Sequence, residues 1–228
     1  MKKNQSVVCV IPSRSQGDQI NNLNFLYVGE KMLLEFTILS ALKSKIFKKI
    51  FVIFDNSKYK NFFEKKYNIS GIIHKKRNVD FVKLVKKYNK KYFNSFNDLC
   101  VLFPNAPFKN DKTITKMYTK FKNNNLKFLV SGCEVDNNHY FKTKDFYEFI
   151  PNKNKKKNSK LYYISGGINF FKSNFKNYSN YTHNINRGNF YLLNSHEGFS
   201  IYTLYDLILS STINDIDYSI IKNLLKKN

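Results

Sequence analysis

The sequence predicts an α/β domain with a mostly parallel central sheet covered by helices on both faces. Three observations predict it. Short runs such as Ser6–Pro12, Ile50–Phe54 and Leu99–Phe103 are continuously apolar, as strands buried on both faces must be. Between them lie longer charged segments with apolar residues at helical spacing. The two kinds of segment alternate through the first half of the chain, the order that builds parallel βαβ units.

Each element follows in turn. SVVCVIP reads as the first strand, and a polar loop runs from it to Asn24. EKMLLEFTILSALKS, Glu30–Ser44, is the clearest helix. IFVIF, Ile50–Phe54, is the second strand, and Lys58–Tyr67 is a charged helix. Ser70–His74 is a weak strand, and Asp80–Tyr92 is a helix with Val82, Leu84 and Val85 inward. LCVLF, Leu99–Phe103, is the next strand, followed by the loop PNAPFKN. Asp111 is a suitable N-cap for a helix reaching Asn124. Phe128–Ser131 is a further strand, and Lys160–Lys172 reads as a strand pair turning at Ser165-Gly166-Gly167. Asn152–Lys160 is a solvated loop, and Tyr202–Ser211 and Asp215–Leu225 are closing helices. No repeat or linker divides the chain, so residues 1–228 are expected to form one domain.

Composition bounds the function classes. Hydrophobic residues make up 42 % of the chain, too many for a disordered polymer, yet no run is long enough to span a bilayer. The apolar run at Val7–Pro12 is too short for a signal-peptide core, so a cytoplasmic location is expected. Cys9, Cys100 and Cys133 are odd in number and far apart, which fits small buried hydrophobes rather than a disulfide or zinc framework. The net charge of +23 attracts anions. Only Arg14, Arg77 and Arg187 among the cations are arginine, the residue suited to bidentate reading of guanine and phosphate, so specific nucleic acid is not an expected partner.

In sheets of this kind ligands bind at the carboxyl ends of the strands. The loops Ser13–Asn24, Asp55–Ser57 and Pro104–Asn110 should therefore converge there. Ser13, Ser15, Gln16 and Gly17 can turn main-chain amides toward an anion beside Arg14. Neither GxxxxGK[ST] nor GxGxxG is present, which excludes the common NTPase and dinucleotide loops. His74, His139, His183 and His196 have no partners at metal-ligand spacing.

The segments in order resemble the acylneuraminate cytidylyltransferases, the CMP-sialic-acid and related CMP-nonulosonate synthetases. IPSRSQGDQINNLNF is similar to that family's opening IPARxGSKxIxxKN loop. EFTILSALKS and IFVIFD follow as its next helix and strand do. LCVLFPNAP resembles LLQPTSP, SGCEVDNNHYF a segment with Glu, His and Tyr, SGGINFFK the segment NGAIYIFK, and SIYTLYDL the segment DIDTxxDL. The resemblance covers nearly the whole chain. It implies a Rossmann-like three-layer sandwich of the nucleotide-diphospho-sugar transferase type. It also implies transfer of CMP from CTP to an acidic, sialic-acid-like sugar with release of pyrophosphate, Mg²⁺ as cofactor, and a homodimer built through an extension from the second half.

By the same resemblance Arg14 and Lys109 meet the phosphates as catalytic residues. Ser13, Ser15, Gly17, Asn22, Asn24, Arg77 and Asn105 are then expected at the nucleotide, and Ser165 and Gly166 at the sugar acid; Arg187, in the stretch NINRG that reads most simply as a turn, can meet a sugar carboxylate bidentately. The departures are specific. Asp18 and Leu23 stand at lysine positions of the opening loop, Phe103 stands for the base-reading Gln, and Lys109 replaces Arg. Ser200 and Tyr202 replace the two metal-binding Asp, leaving Asp206 as the surviving carboxylate of that segment. No metal ligands are identifiable; Asp55, Glu134 and Glu197 are the nearest alternatives. Two other readings stay open: a family descendant that binds a nucleotide or partner without turnover, and a basic RNA-binding domain of other ancestry.

Overall fold

The computed structural model describes residues 7–13, 20–75, 84, 87–93, 95–135, 140–142, 147–149, 161–175, 185 and 188–215. Val7–Pro12 (β1) is the first strand. Val7, Cys9 and Ile11 enter one core and Val8 and Val10 the other, the period of two that a strand imposes. Both faces are covered, which explains why the run is apolar throughout.

Tyr27–Val28 (β2) and Lys31–Met32 (β3) pair as a small antiparallel ladder. Helix α1 then spans Leu33–Ser44, three residues shorter at its start than the sequence pattern indicates. Gly29, at φ 61°, turns the chain before it. Glu35 fixes the start: its Oε2 accepts the Met32 amide at 2.8 Å, the carboxylate half of a capping box. Its other oxygen accepts from Lys66 Nζ and Tyr67 Oη, both at 2.5 Å. Burial pushes the Glu35 carboxyl up, but these bonds outweigh it and hold the group below the usual carboxylate range.

Phe47–Phe54 (β4), helix α2 at Ser57–Lys66 and Ser70–Ile73 (β5) follow in the expected order, β4 beginning three residues before the expected Ile50. The helix expected over Asp80–Tyr92 is described only at Leu84 and from Lys87 onward, and Asn89–Phe93 closes as a π-helical turn. Asp98–Leu102 is β6 and Asp111–Asn123 is α3. The N-cap of α3 is Asn110 rather than Asp111: Asn110 Oδ1 accepts the Thr113 amide at 2.8 Å. Asp111 is left in the first turn, where a carboxylate suits the positive end of the helix dipole.

Phe128–Val135 (β7) precedes a separate ladder of Tyr140–Lys142 (β8) and Tyr147–Phe149 (β9). Leu161–Lys172 (β10), Phe190–Leu192 (β11), the short helix α4 at Ser195–Gly198 and helix α5 at Leu204–Asp215 complete the described chain. Helix α5 begins two residues after the expected Tyr202. The expected loop Asn152–Lys160 lies outside the described residues, as does the expected last helix after Asp215.

The seven-stranded sheet has the order β11-β7-β10-β6-β1-β4-β5. Only β10 runs against its neighbours in it. Ile38 and Ala41 of α1, Phe63 of α2, and Ile114, Met117 and Phe121 of α3 pack on one face. Leu84, Tyr88, Phe93 and Phe96 cover the other, giving three layers. At the amino end of β6 the buried Asp98 carboxylate meets Lys122 at 2.9 Å and Lys172 at 3.2 Å. A buried carboxylate needs such partners, and these two tie the end of α3 and the end of β10 to the sheet.

The strand pair expected around Ser165-Gly166-Gly167 is instead one strand with a large bulge. Ile164 faces Gly132 and Asn169 faces Val130, so β10 advances five residues (164 to 169) while β7 advances two (132 to 130). Ser131 stitches the gap: its hydroxyl donates to the Ser165 carbonyl at 2.5 Å and accepts the Ile168 amide at 3.0 Å. Gly166 and Gly167 take φ of 72° and 61°, which L side chains rarely adopt. A Cβ on Gly167 would stand 2.9 Å from Phe103 Cβ and 3.1 Å from its carbonyl oxygen. Gly167→Ala is therefore expected to lower unfolding free energy by about 1–3 kcal/mol; urea denaturation measures it, and an unchanged midpoint would refute the strained-bulge account.

Candidate functional site

The carboxyl ends of β1, β4 and β6 lie side by side. Pro12 pairs with Ile53, Val10 pairs with Val101, and the Ser13 amide extends the ladder to the Ile53 carbonyl at 2.9 Å. The beginnings of the three expected loops therefore share one edge. Ser13 is fully buried there, and its Oγ has no hydrogen-bond partner among the described residues. Arg14, Ser15 and Gly17 lie outside the described residues, as do Arg77 and Arg187. Where the loop resumes, Asn22 is exposed in a left-handed turn at φ 56°, its carbonyl accepting the Phe25 amide at 2.8 Å. Asn24 is half-buried in the single 3-10 turn that follows.

The loop after β6 is held from inside. Lys109, expected on phosphates, is instead buried, with 2 % of its surface exposed. Its ammonium donates to Thr37 Oγ1 of α1 at 3.0 Å, to the Phe103 carbonyl at 2.8 Å and to the Ala106 carbonyl. A lysine has three donors, and these acceptors engage all three. Ser40 Oγ donates to the Lys109 carbonyl at 2.8 Å, so α1 grips both ends of the residue. Burial pulls the Lys109 ammonium down to about 7. The physical reason for the correction is position: the turn Pro104–Pro107 folds the side chain back beneath itself, where a buried ammonium must find acceptors. Asn105 is half-buried on the rim of that turn.

The chain returns to this edge near its end. The Ile201 amide donates to the Asn105 carbonyl at 2.7 Å, and Ile201 packs with Val28 and Leu33. Ser200 and Tyr202 thus flank the turn after β6. The carboxylates near them are already committed. Glu197, buried, accepts from Asn110 Nδ2, Thr113 Oγ1 and Asn194 Nδ2, clamping α4 to the start of α3. Asp206 accepts the amides of Tyr202 at 3.0 Å and Thr203 at 2.8 Å, while its own amide donates to Thr203 Oγ1 at 3.2 Å. That is a reciprocal cap on α5, and the bonds hold the Asp206 carboxyl below its ordinary value against a raising effect of burial. Among the described residues no group of three His, Cys, Asp or Glu is arranged to hold a metal ion. Glu197 and Asp206 are therefore taken up by the fold and do not fit as ligands of the Mg²⁺ implied by resemblance.

Ser165 and Gly166, expected to bind the sugar, sit beneath this edge as parts of the bulge. Ser165 Oγ donates to Cys133 Sγ at 3.2 Å, and a Cβ on Gly166 would meet Leu193 Cδ1 at 2.1 Å. Both are buried and occupied by packing. Sequence reasoning missed Thr37 and Ser40. The signal was available: Thr37 stands beside Ile38 and one turn from Leu34 and Ala41, so a helix that buries those residues also buries its hydroxyl. The Glu197 clamp with Asn110 and Thr113 had no local signal, since its partners are 87 and 84 residues away.

The Lys109 placement gives stability a pH dependence. The folded chain sheds the Lys109 proton near pH 7, whereas the unfolded chain holds it to about 10.5. Between these values the unfolded state binds more protons, so stability rises with pH. Urea midpoints at pH 6.5, 8 and 9 should climb in the native chain and flatten in Lys109→Met; equal slopes in both proteins would sink this assignment.

Comparison with known proteins now bears on the site. The sequence profile described as Cytidylyltransferase matches residues 8–224. A search of curated proteins finds no match. Among solved structures, the chain is similar to CMP:2-keto-3-deoxy-manno-octonic acid synthetase complexed with CTP, with a TM-score of 0.70 at 11 % identity, covering 92 % of this chain and 98 % of that one. It is similar to 4-diphosphocytidyl-2C-methyl-D-erythritol synthase from Anaerococcus prevotii, with a TM-score of 0.68 at 13 % identity, covering 94 % and 100 %. The bifunctional IspDF from Campylobacter jejuni aligns with a TM-score of 0.64 at 14 % identity, over 89 % of this chain and 53 % of that one. At these identities the structures establish the shared fold, the Rossmann-like sandwich expected from the sequence. The profile carries the function class, transfer of CMP from CTP. Since that profile runs along almost the entire sequence, the chain belongs to the cytidylyltransferase family.

Proposed function

We propose that this protein transfers CMP from CTP to an acidic sugar of the nonulosonic class, with the nucleotide lying across the carboxyl ends of β1, β4 and β6. One observation carries the location: three loops and the returning segment around Ile201 meet at that edge, with the buried Ser13 hydroxyl facing no protein partner among the described residues. In the reaction the sugar's anomeric hydroxyl oxygen bonds to the α-phosphorus of CTP. The bond from that phosphorus to the bridging oxygen breaks, pyrophosphate leaves, and the hydroxyl proton passes to solvent. Arg14, with the Ser13–Gly17 amides, is the proposed phosphate contact; Asn22, Asn24, Arg77 and Asn105 are proposed for the nucleotide and Arg187 for the sugar carboxylate. No step is assigned to Lys109. An acidic acceptor agrees with the net charge of +23, which concentrates anions at the surface. It also agrees with the octonic acid named for one structural neighbour. A homodimer and a cytoplasmic location accompany this reading.

A specific observation favours a second reading, nucleotide binding without turnover. Glu197 and Asp206, the carboxylates nearest Ser200 and Tyr202 in sequence, are engaged as clamp and cap. Phosphoryl transfer from a triphosphate ordinarily relies on a metal to neutralise charge on the phosphate oxygens.

Pyrophosphate release separates the two. With CTP and sialic, legionaminic, pseudaminic or 2-keto-3-deoxy-octonic acid, across several Mg²⁺ concentrations, at least one acceptor should give release that Arg14→Ala reduces about a hundredfold or more. Thermal stabilisation by CTP with no release from any acceptor would replace the first reading with the second.

A further inference from the structure

The loop after β6 has an unusual polarity. Its carbonyls at Phe103 and Ala106 are bound by the Lys109 ammonium, and its carbonyl at Asn105 is bound by the Ile201 amide. Three of the four main-chain acceptors from Phe103 to Ala106 are thus drawn into the protein. The Asn105 amide makes no main-chain hydrogen bond among the described residues. Pro104 and Pro107 carry no N–H, the Phe103 amide donates to the Gly167 carbonyl and the Ala106 amide to the Phe103 carbonyl, so among the described residues the Asn105 amide is the main-chain donor the turn has left, and a donor suits the acceptor atoms of a cytidine nucleotide, on the base or the phosphates. The turn is also short of self-support: its own closing bond, from the Ala106 amide to the Phe103 carbonyl, is long at 3.5 Å. The lysine beneath supplies what that bond does not.

We infer that Lys109 is a positioning residue for the nucleotide: by bonding the Phe103 and Ala106 carbonyls and anchoring on Thr37 of α1, it presets the Pro104–Pro107 turn with the Asn105 amide toward CTP. The residue acts through the turn and touches no substrate. The physical gain is preorganisation, since a turn already held in its binding form loses less entropy when the ligand arrives. The inference rests on the proposed nucleotide site but adds a cause for its shape. It also accounts for a buried lysine whose ammonium bonds one hydroxyl and two carbonyls rather than a carboxylate, an arrangement that desolvation opposes.

The test uses the full chain and CTP as the probe. Lys109→Met keeps the volume and removes the donors. Hydrogen exchange without ligand should show faster exchange across residues 103–110 in Lys109→Met. CTP affinity by calorimetry should fall about tenfold. Cytidine and inorganic triphosphate, measured in parallel, assign the loss to the base end or the phosphate end. Thr37→Val, which removes only the anchor on α1, should give a smaller loss in the same direction and remains informative if Lys109→Met fails to fold. Asp98→Asn, at the opposite end of the sheet, controls for stability alone and should leave CTP affinity unchanged. Unaltered exchange in the 103–110 segment overturns the inference whatever CTP does. Faster exchange with native CTP affinity overturns its ligand half. Loss of CTP binding in Asp98→Asn equal to that in Lys109→Met overturns it as well, because the effect is then general. A native chain that does not bind CTP at all removes the proposed site, while the exchange result still decides whether Lys109 shapes the turn.

Discussion

Strand β1 is hydrogen-bonded in parallel on both edges, to β4 and to β6. Parallel pairing requires each connection to cross back over the sheet, so the chain leaves every one of these strands on the same side. The three loops that follow them consequently gather at one edge, whatever residues they contain. Both faces of β1 are then covered, which demands an unbroken apolar run and leaves the buried Ser13, just past its end, as the first polar side chain the strand delivers. The opposite edge has a different occupation. There Asp98, Lys122 and Lys172 form a buried ionic knot that joins a helix end to a strand end. The sheet thus separates one edge given to attachment from another where loops meet.

At the loop edge, much of the charge is consumed by the fold itself. The Lys109 ammonium holds a turn, the Glu197 carboxylate clamps two helices and Asp206 caps a third. Each case follows from one rule: a polar group taken from water must be matched by donors or acceptors in the protein. A group so matched has little left to offer a ligand. In the proposed reading, recognition falls to main-chain donors and to Arg14, Arg77 and Arg187.

How much of this was readable in the sequence depended on range. Val7–Ile11 and Leu99–Leu102 were legible because a strand buried on both faces leaves a local signature. The class, the parallel core and the shared loop edge followed from such runs and their order. Boundaries set by single hydrogen bonds were less legible. Asn110 and Asp111 are equally plausible caps by residue type, and only the Asn110 bond to Thr113 decides. Glu30 to Met32 continues the helical pattern, yet the Glu35 bond to Met32 starts the helix later. The glycine pair at Gly166-Gly167 signalled a departure from regular strand but not its kind, because turn and bulge use the same backbone angles. Lys109 was legible as a site position through family pattern alone. Its true surroundings depend on Thr37, 72 residues earlier, a separation that no local pattern encodes.

The insertion of β10 between β6 and β7 has a consequence for synthesis. The strands β5, β4, β1 and β6 can pair as soon as the first hundred or so residues leave the ribosome, since all their partners are then present. β7 emerges next but touches neither of the outer strands of that half; within the sheet it pairs with β10 and β11. Until residues 161–172 appear, β6 carries an open edge and β7 has no berth. An unpaired, apolar strand edge is an invitation to pair with another chain. The antiparallel strand is thus the closing piece of the molecule, and the interval before it is translated is when a growing chain of this design most needs shielding from its neighbours.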